Sequence, residues 1–320
     1  MKFKKTKSNN KTRILLADDI PVGSSQGDRR SEALLAISGK LASRLNVSID
    51  RVHVEDSAFY PVHSPHFAKM FEHYAREMDA KFKVGAEAIS APARSILLSG
   101  SPAVKLLALA GKRGAYEMMV VGTQGRSGVS RLITGSVAEE LIRRSRIPVL
   151  TVGPKAQEKF SGFLQGDKIK ILVPTSLTKN SERAEAYAAS LAKRMGAEIV
   201  LTYSLYDGLH PAIQSLFALP DPTAELAGLI HDLKKNSLKA LTKKVEAFRK
   251  KGVAATTILD HGYHSAEDAI LRESKKIGAS FLVMGTHGRS LLSGAFFGRT
   301  ARGVILGAEV PVITVQSRTA

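Results

Sequence analysis

The 320-residue chain repeats itself over the length of a domain. RILLADD at 13–19 has its counterpart in KILVPTS at 170–176, GTQGRS at 122–127 in GTHGRS at 285–290, and IPVLTV at 147–152 in VPVITV at 310–315. From Gly122 to Val152 the two copies align without a gap at an offset of 163 residues. The repeating unit is therefore a whole domain and not a solenoid module. The expected division is a basic tail at 1–12, a first domain at 13–153, a linker at 154–168 and a second domain at 169–320.

Within each copy, short apolar runs alternate with amphipathic stretches. In the first, RILLAD reads as a buried strand, 28–45 as a helix, IDRVHVED as a strand and 65–82 as an amphipathic helix. RSILLSG then reads as a strand, 101–114 as a helix opened by Pro102, YEMMVVG as a strand, SVAEELIRRSR as a helix and PVLTV as a strand. The second copy follows the same order, with a long helix from about Asp221 to Lys251. Continuous apolar strands separated by amphipathic helices imply a parallel sheet covered on both faces. The expected fold is α/β: two tandem doubly wound domains, each a five-stranded parallel sheet, with ligands bound outside the C-terminal strand ends.

Composition excludes several classes. The chain has no cysteine, which removes disulfides, thiolate metal sites and a Cys nucleophile and fits an intracellular protein. No apolar run reaches the ~18 residues of a membrane helix, and the basic start MKFKKTKSNNK lacks the apolar core of a secretory signal. The expected location is the cytoplasm. The net charge of +18 would attract nucleic acid, anionic lipid or phosphorylated ligands. The basic residues are spread along the chain, and neither zinc-finger spacing nor an aromatic RNA-binding signature accompanies them, so no nucleic-acid partner is expected.

The stretch GTQGRSGVSRLITGS, 122–136, joins a strand to a helix and uses glycine at Gly122, Gly125 and Gly135, with Ser136 following. Gly122 would let the backbone turn, and Gly125 would allow close approach of a ligand or another segment. Ser136 would act as N-cap or offer its hydroxyl to an anion. The free N–H groups and dipole of the helix start favour phosphate, and Arg126 and Arg131 would screen its charge. This is neither a Walker A loop nor a dinucleotide G-x-G-x-x-G. Glycine after a strand and serine before a helix are also ordinary features of α/β turns, so the spacing alone leaves both readings open.

The pattern Gly122-x2-Gly125-x9-Gly135-Ser136 resembles the ATP-binding signature of the universal stress protein family, and the phrase VVGT-x-GRSG and the terminal PVLTV strand resemble it too. The resemblance covers nearly the whole chain twice. It implies Rossmann-like domains of the adenine nucleotide alpha hydrolase type, and an adenine-nucleotide site in the first copy. Asp19, after Ala17 and Asp18, would stand beside adenine and ribose, and Val54 against the base. Val121, Gly122, Gly125 and Arg126 would line the ribose and phosphate side, and Gly135, Ser136 and the Val137 amide would hold the phosphates. The nucleotide expected is ATP, with ADP, AMP and an accompanying Mg²⁺ left open. The family's terminal strands pair across a dimer, so PVLTV and PVITV are expected to pair within this chain as a pseudo-dimer, with a further homodimer left open.

The second copy departs from the pattern. Ser176 replaces Asp19 and Arg299 replaces Ser136, while Gly285, Gly288 and Gly298 remain. An arginine opposes the helix dipole unless an anion or carboxylate sits beside it. The second site is therefore read as degenerate, with binding of a different anion as the alternative. His261 and His264 beside Asp260 lack a clear third ligand, and no metal site is assigned. The segment 206–222 is apolar and read as a packed loop, with cover for an apolar cavity as the alternative. No catalytic constellation is evident. The function expected is a stress-response protein regulated by nucleotide in its first domain, with at most slow hydrolysis. The alternatives are a nucleotide-free scaffold and a true ATPase.

Overall fold

The computed structural model of the chain describes residues 12–18, 25–56, 91–123, 135–164, 168–206, 209, 222–262, 265–286 and 298–316. By contact the chain divides into two compact units, Met1–Val120 and Val121–Ala320.

The first unit contains β1 (Arg13–Ala17), α1 (Ser25–Leu45), β2 (Ser48–Glu55), β3 (Ala93–Ser99), α2 (Pro102–Ala110) and most of β4 (Tyr116–Gly122). Its strands lie in the order β3-β2-β1-β4, and all are parallel. Ile14, Leu15 and Leu16 of β1 and Met118, Met119 and Val120 of β4 are all fully buried. Successive residues point to opposite faces, so both faces are covered, as the unbroken apolar runs required. The α1 stripe of Ala33, Leu34, Ile37, Leu41 and Leu45 is buried at helical spacing. This helix gives way at Asn46, whose φ of 54° is left-handed.

The second unit contains α3 (Ser136–Arg144), β5 (Val149–Val152), α4 (Pro154–Glu158) and β6 (Lys170–Pro174). It continues with α5 (Lys179–Met195), β7 (Glu198–Ser204), α6 (Pro222–Lys250), β8 (Ala255–Asp260) and α7 (Ala266–Lys276). It ends with β9 (Phe281–Gly285), α8 (Arg299–Gly307) and β10 (Val312–Val315). Its strand order is β5-β10-β9-β6-β7-β8. The α5 helix ends as α1 does, with left-handed Gly196 (φ 65°) donating its N–H to the Ala192 carbonyl.

The β5 strand of the first repeat pairs antiparallel with β10 of the second: Thr151 with Val312, Leu150 with Ile313 and Val149 with Thr314. This is the expected pairing of PVLTV with PVITV. It also explains why the contact boundary at Val120 and Val121 precedes the repeat boundary: β5 is held by the last strand of the second repeat. Gly153 reinforces the join, because a Cβ there would overlap the Ile305 carbonyl of α8. The stretch expected as a linker is partly ordered into α4 and a 3-10 turn at Phe160–Gly162, and Phe163 is buried with its ring 6.4 Å from that of Phe281.

A polar cluster fixes the N-terminal ends of the strands in the first unit. Asp50 of β2 is fully buried. Its carboxylate accepts from Arg94 Nε at 2.6 Å, Arg94 Nη2 at 2.8 Å and the Tyr116 hydroxyl at 2.7 Å, with Arg13 Nη1 at 3.8 Å. Three strands, β3, β1 and β4, thus converge on one buried charge. Burial, aided by the Asp50 charge and hydrogen bond, pushes the Tyr116 phenol up to about 12. Removing a partner of a buried charge costs more than the pair contributes net. Arg94→Met is expected to lower unfolding free energy by about 2–4 kcal/mol, because Arg13 compensates only in part. Denaturant unfolding at pH 7 checks this, and a change within error would remove Asp50 as a register lock.

The same cluster carries a pH dependence. Tyr116 has a higher pKa folded than unfolded, so the folded state keeps a proton that the unfolded chain releases. Its contribution is complete below pH ~10 and is lost as pH rises through about 12. The difference in stability between the wild type and Tyr116→Phe is expected to narrow over that interval, read from denaturation curves. A constant difference would contradict the assignment.

Candidate functional site

Both repeats build the same turn ahead of their last helix. In the first, the Thr123 N–H donates to the Val152 carbonyl at 3.3 Å, and the Thr123 carbonyl accepts from the Gly135 N–H at 2.6 Å. In the second, Thr286 N–H donates to Val315 and the Thr286 carbonyl accepts from Gly298 N–H, at 3.3 and 3.1 Å. The residue after the strand therefore ties the helix start to the end of the next strand. This latch was not read from the sequence, although the shared Gly-Thr dipeptide in both copies carried the signal.

The described glycines of these turns do not need glycine's dihedral freedom. Gly135 and Gly298 have φ of −56° and −59°, which any residue adopts. Gly122 and Gly285 are not among the glycines with positive φ, so the expected turning role of Gly122 is not what the backbone shows. Ser136 is also not the N-cap: Gly135 holds that position, and Ser136 is the first helical residue. Gly135 has no side chain with which to cap the helix, and Ser136 and Val137 are both exposed. The α3 start thus presents the exposed Ser136 hydroxyl at the positive end of the helix dipole, an arrangement that favours anions. Val121, one residue before Gly122, is buried.

The first unit has a polar network of its own at the strand ends. Asp18 follows β1 and is buried, so it is no solvated loop residue. Its Oδ2 accepts from Arg51 Nε at 2.9 Å, Arg51 Nη2 at 2.7 Å and Ser31 Oγ at 2.8 Å, while Oδ1 has no hydrogen-bond partner among the described residues. Its N–H donates to the Val52 carbonyl, and its carbonyl faces His53 Nδ1 at 3.0 Å. The chain end leading to Asp19 is thereby fixed from α1 and β2. Arg51, His53 and Glu55 alternate along β2 and are all buried. Their alternation with apolar residues was the only sequence sign of this network. Ala17 and Val54 are half-buried at the ends of β1 and β2.

The second repeat uses hydroxyls together with a different ion pair here. Thr175 donates to Glu185 at 2.6 Å, Lys244 closes the Glu185 carboxylate at 2.6 Å, and Ser176 lies 2.7 Å from the Thr178 hydroxyl. Asp260, beside His261, is paired with Arg272 of α7. Among the described residues no group of three potential metal ligands occurs, and no helix is long and apolar enough to cross a membrane. Asp19, Gly125, Arg126, Arg131, His264 and Gly288 lie outside the described residues, as does most of the segment 206–222.

Comparison with known proteins fits this duplicated architecture. The chain is 23% identical over 299 residues to universal stress protein Rv2005c of Mycobacterium tuberculosis, covering 91% of this chain and 94% of that one. Its fold is similar to the crystal structure of a universal stress protein from Archaeoglobus fulgidus, with a TM-score of 0.62 at 20% identity over 95% of this chain and 96% of that one. Another solved universal stress protein from Archaeoglobus fulgidus, described as a complex with dAMP, covers 46% of this chain and 97% of its own at 25% identity and a TM-score of 0.30. The model of the universal stress protein family matches residues 11–153 and again 169–316. The chain belongs to the universal stress protein family and carries its domain twice.

Proposed function

We propose that the first repeat binds an adenine nucleotide, ATP with Mg²⁺, and that its occupancy regulates what the protein engages in a stress response. The observation that carries this reading is the α3 start: latched by Thr123, with glycine at the N-cap, and presenting exposed Ser136 beside exposed Val137. Gly135, Ser136 and the Val137 amide take the phosphates. Ala17, Asp18, Asp19 and Val54 serve adenine and ribose, as the family signature implies. The orphaned Asp18 Oδ1 supports this, since a buried carboxylate oxygen without a partner calls for a donor such as a ribose hydroxyl. Val121, Gly122, Gly125 and Arg126 complete the ribose and phosphate side. Output through occupancy rather than turnover is consistent with a site built from backbone donors and a hydroxyl, which hold phosphate without activating water.

Calorimetric titration of nucleotide-stripped protein with ATP and Mg²⁺ tests this, beside Gly135→Val. The backbone at Gly135 lies in a region open to valine, so the variant adds a branched side chain without forcing the turn. One ATP per chain is expected in the wild type, weakened at least ~10-fold in the variant, which corresponds to about 1.4 kcal/mol. Undetectable binding in the wild type would overturn the reading and leave the glycines as turn architecture.

A further inference from the structure

Three positions differ together between the repeats. At the offset of 163 residues, Arg299 stands for Ser136 and Gly303 for Glu140, and counted from the helix N-caps Ser101 and Ser265, Glu267 stands for Ala103. In the first repeat, Ala103 is a small buried residue, and Glu140 accepts from Arg144 of its own helix at 2.6 Å. In the second, the Glu267 carboxylate rests on the backbone of Gly303, where any Cβ would overlap it. Gly303 lies four residues after Arg299, so the two share one face of α8. Glu267 projects from the first turn of α7 and is half-buried. Burial and the neighbouring Asp268 raise its pKa, and the Arg299 charge opposes them.

We infer that Glu267 is a built-in counter-ion for Arg299 that closes the second repeat's helix start to anionic ligands, and that Gly303 is the seat that admits it. A cation at a helix N-terminus adds to the positive end of the dipole and would by itself strengthen an anion site. A carboxylate on the same face cancels that field and repels an incoming phosphate. The three changes are then one device: a cation gained, an acid gained on the facing helix, and a side chain removed to let the acid in. The asymmetry between repeats becomes an electrostatic property rather than loss of the fold, since the Thr286–Gly298 latch is intact. The inference rests on the reading that these helix starts receive phosphate.

The test uses full-length protein carrying Gly135→Val, so that the first repeat is silenced, and titrates inorganic pyrophosphate and ATP by calorimetry. Adding Glu267→Gln keeps the shape and removes the charge. It is expected to create one pyrophosphate site per chain, at least ~10-fold tighter than in the parent, weakened by salt and lost when Arg299→Ser is added. Gly303→Ala, which displaces the carboxylate while keeping its charge, is expected to open the same site to a smaller degree. Thermal unfolding of each variant confirms a folded chain, and the alanine variant serves if the glutamine variant does not fold. Folded variants that bind no more pyrophosphate than the parent would overturn the inference. Failure of the proposed nucleotide site would show separately, as absence of binding in the protein with an unaltered first repeat.

Discussion

The antiparallel pairing of β5 with β10 is the contact on which the duplicated architecture depends. Each strand ends its own repeat, and each would otherwise leave an apolar edge with unpaired backbone groups. Val149, Leu150 and Val152 are buried on one side of the join, and Val312 and Ile313 on the other. Because the partner is supplied by the same chain, pairing needs no second molecule. Its consequences reach the helices: Gly153 has no room for a side chain beneath Ile305, and Gln316 donates to the Arg143 carbonyl at 2.6 Å. The same strands anchor the Thr123 and Thr286 turns, so both helix starts are positioned by the join itself.

From that common frame the repeats diverge in charge. At the end of β1 the first uses a buried carboxylate held by an arginine from β2 and a serine from α1. At the end of β6 the second uses a threonine hydroxyl on a glutamate that is closed by a lysine from α6. Both solutions satisfy buried polar groups and fix the chain as it leaves the first strand of its repeat. They leave different surfaces: one carboxylate oxygen without a partner in the first, and a cluster of serine and threonine hydroxyls in the second. At the start of the last helix of each repeat, an exposed serine in the first becomes an arginine in the second, whose charge acts on Glu267 of α7.

The sequence made the fold legible because strands buried on both faces leave no ambiguity in period or polarity. RILLA, YEMMVVG, KILVP and FLVMG are such strands, and the repeat fixed their order twice. The long second-copy helix, expected from about Asp221 to Lys251, runs from Pro222 to Lys250. Less legible was anything depending on contacts between distant residues. Nothing local to Asp50 announces that Arg94 and Tyr116 will share its carboxylate, and nothing near Asp18 announces Arg51. The helix cap was misread for a related reason. Serine is a good N-cap, but here the Gly135 N–H is committed to Thr123, which moves the first helical turn onto Ser136. The role of Gly303 depends wholly on a side chain 36 residues away, Glu267, and could not be seen from its own neighbourhood.

The central claim is that one of two helix starts with the same latch and N-cap glycine receives phosphate and the other does not. Amide chemical-shift mapping on isotope-labelled full-length protein reads both in one sample. The account predicts that saturating ATP with Mg²⁺ shifts the amides of Gly135, Ser136 and Val137 while those of Gly298, Arg299 and Thr300 stay in place. Equal shifts at both helix starts, or shifts at neither, would contradict it.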